Sequence, residues 1–153
     1  MDIYERLQEK RIVIPELRKP VASYVPAKVC NELIFSSGQT GAIRQKLKYI
    51  GKLGEDITVE QGKESARLAM LNCLAEIENV LGDLNKVEEI IKVTGYVASA
   101  EGFKEQPAVI EGASVLLLEI FGEKGKHARS AIGVAELPFG APVEVELIAR
   151  IKE

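Results

Sequence analysis

Apolar positions recur along this chain with two spacings, and the changes between them mark out the elements. Residues 3–11 place Ile3 and Leu7 among charged neighbours at helical spacing, and Pro15 stops that helix within a few residues. The pattern then becomes extended. Residues 27–30 and 33–37 read as two strands about a turn at Asn31-Glu32, the second running into Ser36-Ser37-Gly38-Gln39. A strand ending in small polar residues and glycine lets a ligand approach the backbone closely. Residues 46–54 are lysine-rich and read as an edge strand and loop, where charge discourages edge pairing.

The strongest period is helical and covers 59–81. Thr58 and Gln61 fit a capping box, Val59, Ala66, Met70, Cys73, Ile77 and Val80 form the apolar stripe, and Gly82 stands where a helix-ending glycine belongs. Glu60, Lys63, Glu64, Arg67 and Glu76 are expected on the solvated face. A strand follows, with Ile91, Val93, Gly95 and Val97 on one side and Lys92, Thr94, Tyr96 and Ala98 on the other. Pro107 opens a second helix with Val109, Ala113, Leu116, Leu117 and Ile120 buried, and Gly122 ends it. Residues 129–135 and 143–151 are the last two strands, joined through the turn-rich stretch from Leu137-Pro138 to Pro142.

The order β-β-β-α-β-α-β-β predicts an α+β fold, a two-layer sandwich of one mixed sheet packed by two helices. Residues 1–153 are expected to be a single domain, with 1–20 as an N-terminal helical extension. On the last strand Val143, Val145, Leu147, Ala149 and Ile151 form one face, while Glu144, Glu146, Ile148 and Arg150 form the other. Carboxylates on that face do not belong unpaired in a monomer's core. Either polar pockets between subunits or plain exposure to water accounts for them.

Composition narrows the function. Trp is absent and aromatics are 5% of the chain, so the core is aliphatic. A net charge of −3 argues against a nucleic-acid backbone binder, which carries a basic face. The two cysteines, Cys30 at the hairpin and Cys73 on a helix's apolar side, form no CxxC, and one histidine gives no metal cluster. Cys73 reads as a core residue and not a reactive one. The charged N-terminus and the lack of any long apolar run predict a cytoplasmic protein without membrane contact.

The chemistry concentrates in His127-Ala128-Arg129-Ser130 and in Glu144-Val145-Glu146. Read physically, an Arg opens one strand, and a hairpin through Leu137-Pro138 brings two carboxylates back on the next. Arginine suits bidentate recognition of a planar carboxylate. A Glu across the hairpin could orient that Arg or hold a water. A cross-strand ion pair, worth roughly 0.2–1 kcal/mol, accounts for the same residues. His127 stands two positions from Arg129 and so shares its face. It reads either as an exposed inert residue or as one that stands behind the pocket residues or gates the substrate.

Three separated segments resemble the YjgF/RidA family of reactive-intermediate deaminases. They are Ala128-Arg129-Ser130 followed by Leu137-Pro138 and Glu144-Val145-Glu146, the Ser36-to-Gln39 strand end, and Tyr24 ahead of it. The stretch from Asn72 to Leu81 is similar to the family's first helix, and the resemblance spans about residues 20–152. It implies a chorismate-mutase-like fold, a homotrimer with pockets at subunit interfaces, and hydrolysis of short-lived 2-enamine and 2-imino acids such as 2-aminoacrylate and 2-iminobutyrate. It gives Arg129 the substrate carboxylate and Glu144 the water. Tyr24, Ser37 and Gly38 become pocket residues, with Ser130 beside the Arg. An imine carbon is already electrophilic, so this reaction needs no metal or organic cofactor; the pocket fixes the carboxylate, positions water and relays a proton.

The chain departs from the family at His127, where Pro is common, and at Ala131, where Cys is common. The family's helical pocket Asn has no clear counterpart; Ser114 lies nearest and Glu111 is close. These departures imply a divergent subfamily, and activity transfers across such divergence less securely than fold. A non-catalytic binder of small carboxylate metabolites on the same Arg129 pocket is the alternative. A ribonuclease is disfavoured by the acidic balance and single histidine.

Overall fold

The computed structural model describes residues 2–17 and 22–153. Asp2 caps helix α1 (Ile3–Lys10), its carboxylate accepting from the Tyr4 and Glu5 amides, and Arg11 ends it in the left-handed region at φ 55°. The helix is thus shorter than the expected extension, and residues 18–20 of that extension lie outside the described residues. Strands β1 (Ala27–Cys30) and β2 (Leu33–Ser36) form the expected hairpin, with Asn31 at φ 53° in its turn. Three short strands follow: β3 (Gln39–Thr40), β4 (Ala42–Ile43) and β5 (Lys46–Leu47). The last two pair only with each other, so the lysine-rich segment borders a small separate sheet and not the main one.

Helix α2 (Val59–Leu81) has the predicted ends. Thr58 and Gln61 exchange both capping-box bonds, and Gly82 closes the helix at φ 79°. Two expectations for its faces are corrected. Glu76 is only 4% exposed, because the chain before β1 and the β3–β5 segment fold over that turn of the helix. Val80 is exposed, while Leu81 packs against the core in the last turn.

Strand β6 (Val87–Ala98) is followed by helix α3 (Gln106–Phe121), strand β7 (Ala128–Val134) and strand β8 (Val143–Ile151). Irregularities in the β6–β8 pairing between Val87/Glu89 and between Ile90/Lys92 turn Ile90 into the core and Ile91 outward, against the simple alternation expected. The sheet order is β1-β2-β8-β6-β7, with β3 also paired to β8. Only β6 and β7 run parallel.

That order overturns the expected hairpin between the last two strands. A strand–helix–strand passage returns the chain parallel to its start, so α3 lays β7 alongside β6. Strand β8 then pairs with the other side of β6, and β6 lies between Arg129 and the two glutamates.

Helices α2 and α3 cover one sheet face, as predicted, and a single apolar cluster lies between the layers. The helices cross closely at small residues. A Cβ on Gly112 would stand 2.0 Å from the Lys63 carbonyl oxygen, and one on Gly62 would meet Leu53 and Val109. Among the described residues no helix is long and apolar enough to cross a membrane.

Candidate functional site

The register assigns every sheet residue to a face. Arg129 lies opposite Val93, which lies opposite Leu147. Both neighbours are buried under the helices, so Arg129 belongs to the helix-facing side, at the sheet's outer strand. There it reaches α3, where Nη1 donates to Glu111 Oε1 at 2.6 Å and to Ser114 Oγ at 3.1 Å. Glu111 and Ser114 are three apart and share a helical face. Ser114 is buried, and its Oγ is 2.9 Å from His127 Nε2, while His127 Nδ1 is 2.6 Å from the Gly125 carbonyl. His127 is therefore half-buried and bonded at both nitrogens. Of the two readings open in the sequence, the exposed one does not fit: the ring stands behind Ser114, which in turn bonds Arg129.

Glu144 lies elsewhere. It is opposite Tyr96, which is opposite Ile132, and this row faces away from the helices. Two strand spacings, about 10 Å, separate β8 from β7, and within one chain Glu144 and Arg129 project from opposite faces. Glu144 instead stands over Gly38: a Cβ there would be 2.9 Å from its Oε1. Gly38 is thus a glycine because the carboxylate occupies the space beside its backbone. Burial first, then the nearby Glu146 carboxylate, raise the Glu144 carboxyl above its ordinary range. Glu146 accepts a bond from the Tyr96 hydroxyl at 2.8 Å.

Ser37 is tied to the strap before β1. Its hydroxyl donates to the Val25 carbonyl at 2.6 Å and its amide to the Pro26 carbonyl at 2.8 Å. Tyr24, on the same strap, borders a cavity of about 190 Å³ with Pro26, Gln39, Asn72 and Glu76. Asn72 fixes this region by donating to the Thr40 and Ala42 carbonyls, each at 2.9 Å. Ser130, next to Arg129 in sequence, points to the open face, 3.4 Å from Lys92 Nζ.

The expected site residues thus fall into two clusters on opposite sides of the sheet. Arg129, Ser114, Glu111 and His127 stand on the β7 side. Glu144, Gly38 and Ser37 stand on the β3 side, Tyr24 borders the cavity against α2, and Ser130 lies apart on the open face. The partnership of Glu111 with Arg129 was not foreseen. Its signal was available in the three-residue spacing to Ser114 and the strand–helix–strand order. Among the described residues no His, Cys, Asp and Glu group could hold a metal ion.

The sequence pattern of the family described as "YjgF/chorismate mutase-like, putative endoribonuclease" matches residues 5–151, and the chain belongs to that family. More particularly, it is 39% identical over 147 residues to Protein TCP17 of Trypanosoma cruzi, covering 95% of this chain and 91% of that one. A protein of unknown function from Agrobacterium tumefaciens superposes with a TM-score of 0.91 at 40% identity, covering 98% of this chain and 92% of that one. A 2-iminobutanoate/2-iminopropanoate deaminase of Dermatophagoides farinae is 27% identical over 148 residues, covering 95% of this chain and all of that one.

Proposed function

We propose that this protein is a cofactor-independent hydrolase that converts reactive 2-enamine and 2-imino acids to 2-keto acids and ammonia. The observation that carries the reading is the Arg129 guanidinium, held at the sheet's outer strand. Both of its bonds to described residues fall on Nη1. Its Nε and Nη2 have no partner among the described residues, and two such N–H groups match a carboxylate edge. The relative named as an imine deaminase supports the same chemistry.

The two clusters also support a site completed between subunits. One chain cannot bring Glu144 to a substrate held by Arg129, because the sheet intervenes. A head-to-tail contact, with the β7 side of one subunit against the β3 side of the next, brings them together, and such contacts close into a ring. A homotrimer with pockets between subunits is the reading that unites the residues. Phe35 and Ile132, exposed on the open face at 39% and 43%, support a covered sheet surface. In that pocket Arg129 fixes the carboxylate and the neighbouring subunit's glutamate takes a proton from the attacking water. A carboxyl held above its ordinary range is a stronger base toward that proton than an ordinary carboxylate.

The Arg129–Glu111 pair favours a second reading, because a guanidinium that already has a carboxylate partner suits a binder of small carboxylates as well. One assay separates the two. A pyridoxal-phosphate-dependent threonine dehydratase supplies the imine, and keto-acid release is followed with wild type and Arg129→Ala. The deaminase reading expects acceleration by wild type alone, with Arg129→Ala folded and losing no more than about 1 kcal/mol of stability. No acceleration by folded wild type selects the binder, and an unfolded Arg129→Ala marks the pair as structural.

A further inference from the structure

The hydrogen bonds beside Arg129 run in one direction. A carbonyl oxygen only accepts, so the 2.6 Å contact between Gly125 O and His127 Nδ1 puts a proton on Nδ1. In the neutral imidazole Nε2 is then an acceptor, and Ser114 donates its hydroxyl to it across 2.9 Å. The Ser114 oxygen keeps its lone pairs for Arg129 Nη1 at 3.1 Å, a group that can only donate. The chain Glu111–Arg129–Ser114–His127–Gly125 is satisfied throughout, with the serine hydroxyl turned away from the arginine.

Protonating the imidazole reverses one link. Nε2–H must then donate to Ser114, whose own proton is released from the histidine and becomes available on the Arg129 side. A backbone carbonyl that fixes the ring, a serine on the imidazole and an arginine on the serine amount to more than packing requires. We propose that Ser114 and His127 are the proton donor couple for the departing amine, with Ser114 touching the substrate and His127 acting through it as a positioning and proton-supplying residue. The inference rests on the deaminase reading and adds to it the group that serves the leaving nitrogen.

The steps balance. Water adds to the protonated imine carbon, its proton passes to the Glu144 carboxylate, and the C=N pair moves onto nitrogen. The amine nitrogen then takes the Ser114 hydroxyl proton and the His127 imidazolium refills the serine. The C–N bond breaks with its electron pair on nitrogen, and ammonia leaves. The carbonyl forms as the hydroxyl proton passes to solvent, Glu144 returns to solvent the proton it took from water, and His127 is recharged from the same source. This division of labour gives water activation to one subunit and leaving-group protonation to the other.

The charged groups on the elements next to the imidazole are Glu111 of α3, Arg129 of β7, and Glu123, Lys124 and Lys126 in the preceding turn, where Glu123 and Lys126 pair at 2.8 Å. On β6, Lys92 faces Ser130. Imidazole is the side chain whose charge changes between about pH 5 and 8.

The test is the pH dependence of the coupled assay with wild type, His127→Gln and Ser114→Ala, each checked for native fold and assembly. The proposal expects wild-type kcat to fall on an alkaline limb as the couple loses its proton. His127→Gln should lose that limb and run about 100-fold slower in kcat with KM changed less than about threefold. Ser114→Ala should lose the same factor. An active wild type whose limb and kcat survive His127→Gln overturns the couple and leaves the deaminase reading standing. A wild type inactive on the imine overturns both.

Because His127 is the only histidine, its ring resonances can be followed without ambiguity should a variant fail to fold. In wild type, pyruvate should shift them. Resonances indifferent to saturating pyruvate, in an enzyme that pyruvate inhibits, overturn the couple.

Discussion

Burial gives similar side chains different chemistry in this molecule. Cys73 is fully buried beneath the sheet, and desolvation pushes its thiol up to about 12, whereas Cys30 lies exposed at the hairpin. A thiol reagent in native buffer should therefore titrate one cysteine per chain and reach the second only on unfolding; fast reaction of both would contradict the packing. Glu144 follows the same rule. Its carboxyl is raised in the folded state by burial and by Glu146, so the fold favours its neutral form. The stability it contributes is present below the ordinary carboxylate range and is lost as pH rises through its folded value. Glu144→Gln should accordingly be stabilised relative to wild type more at pH 7 than at pH 4, as denaturant midpoints at the two pH values would report. Equal shifts at both would show a carboxyl that burial does not disturb.

Among the elements, α2 and α3 carry the packing that holds the site in place. Gly112 allows α3 to lie against the α2 backbone, and Glu111 and Ser114 flank it. Gly112→Ala must drive a methyl group into a carbonyl at 2.0 Å. It should cost about 1–3 kcal/mol by overpacking, measured by thermal melting, and should reduce activity by displacing Ser114. An unchanged melting temperature would mean that the helices shift apart freely.

What the sequence made legible at this scale was local. The capping box at Thr58, the stop at Gly82 and the apolar stripe of α3 depend on residues within a few positions of one another. Which strands become neighbours depends on the whole chain. The Leu137-Pro138 segment resembles a hairpin loop, yet it bridges past β6, and so the expected partnership of Arg129 with Glu144 across adjacent strands failed. The same nonlocality buried Glu76 under a distant segment. The irregular pairing of β6 that turned Ile91 outward left no distinct mark on the local alternation of residues.

The whole molecule is where the site becomes intelligible. On the proposed reading, the candidate site residues form one pocket only if two chains contribute to it. Arg129, Ser114 and His127 form one half, while Glu144, Gly38 and Ser37 form the other on the far side of the sheet. On the proposed reading, a ring with three such contacts has three equivalent pockets, and a single chain keeps the two halves apart. Sedimentation at micromolar concentration should therefore give a trimer, and conditions that dissociate it should abolish activity in parallel.

The most direct measurement is complementation between two inactive variants. Arg129→Ala and Glu144→Gln chains are each purified, unfolded together in equal amounts, refolded and assayed for keto-acid release. A shared pocket is intact wherever the arginine of a Glu144→Gln chain meets the glutamate of an Arg129→Ala chain. Random assembly of a head-to-tail ring then restores about a quarter of the wild-type sites. Activity near that fraction, from parents that have none, is the result this account predicts. A refolded mixture that assembles fully and remains as inactive as its parents would contradict it.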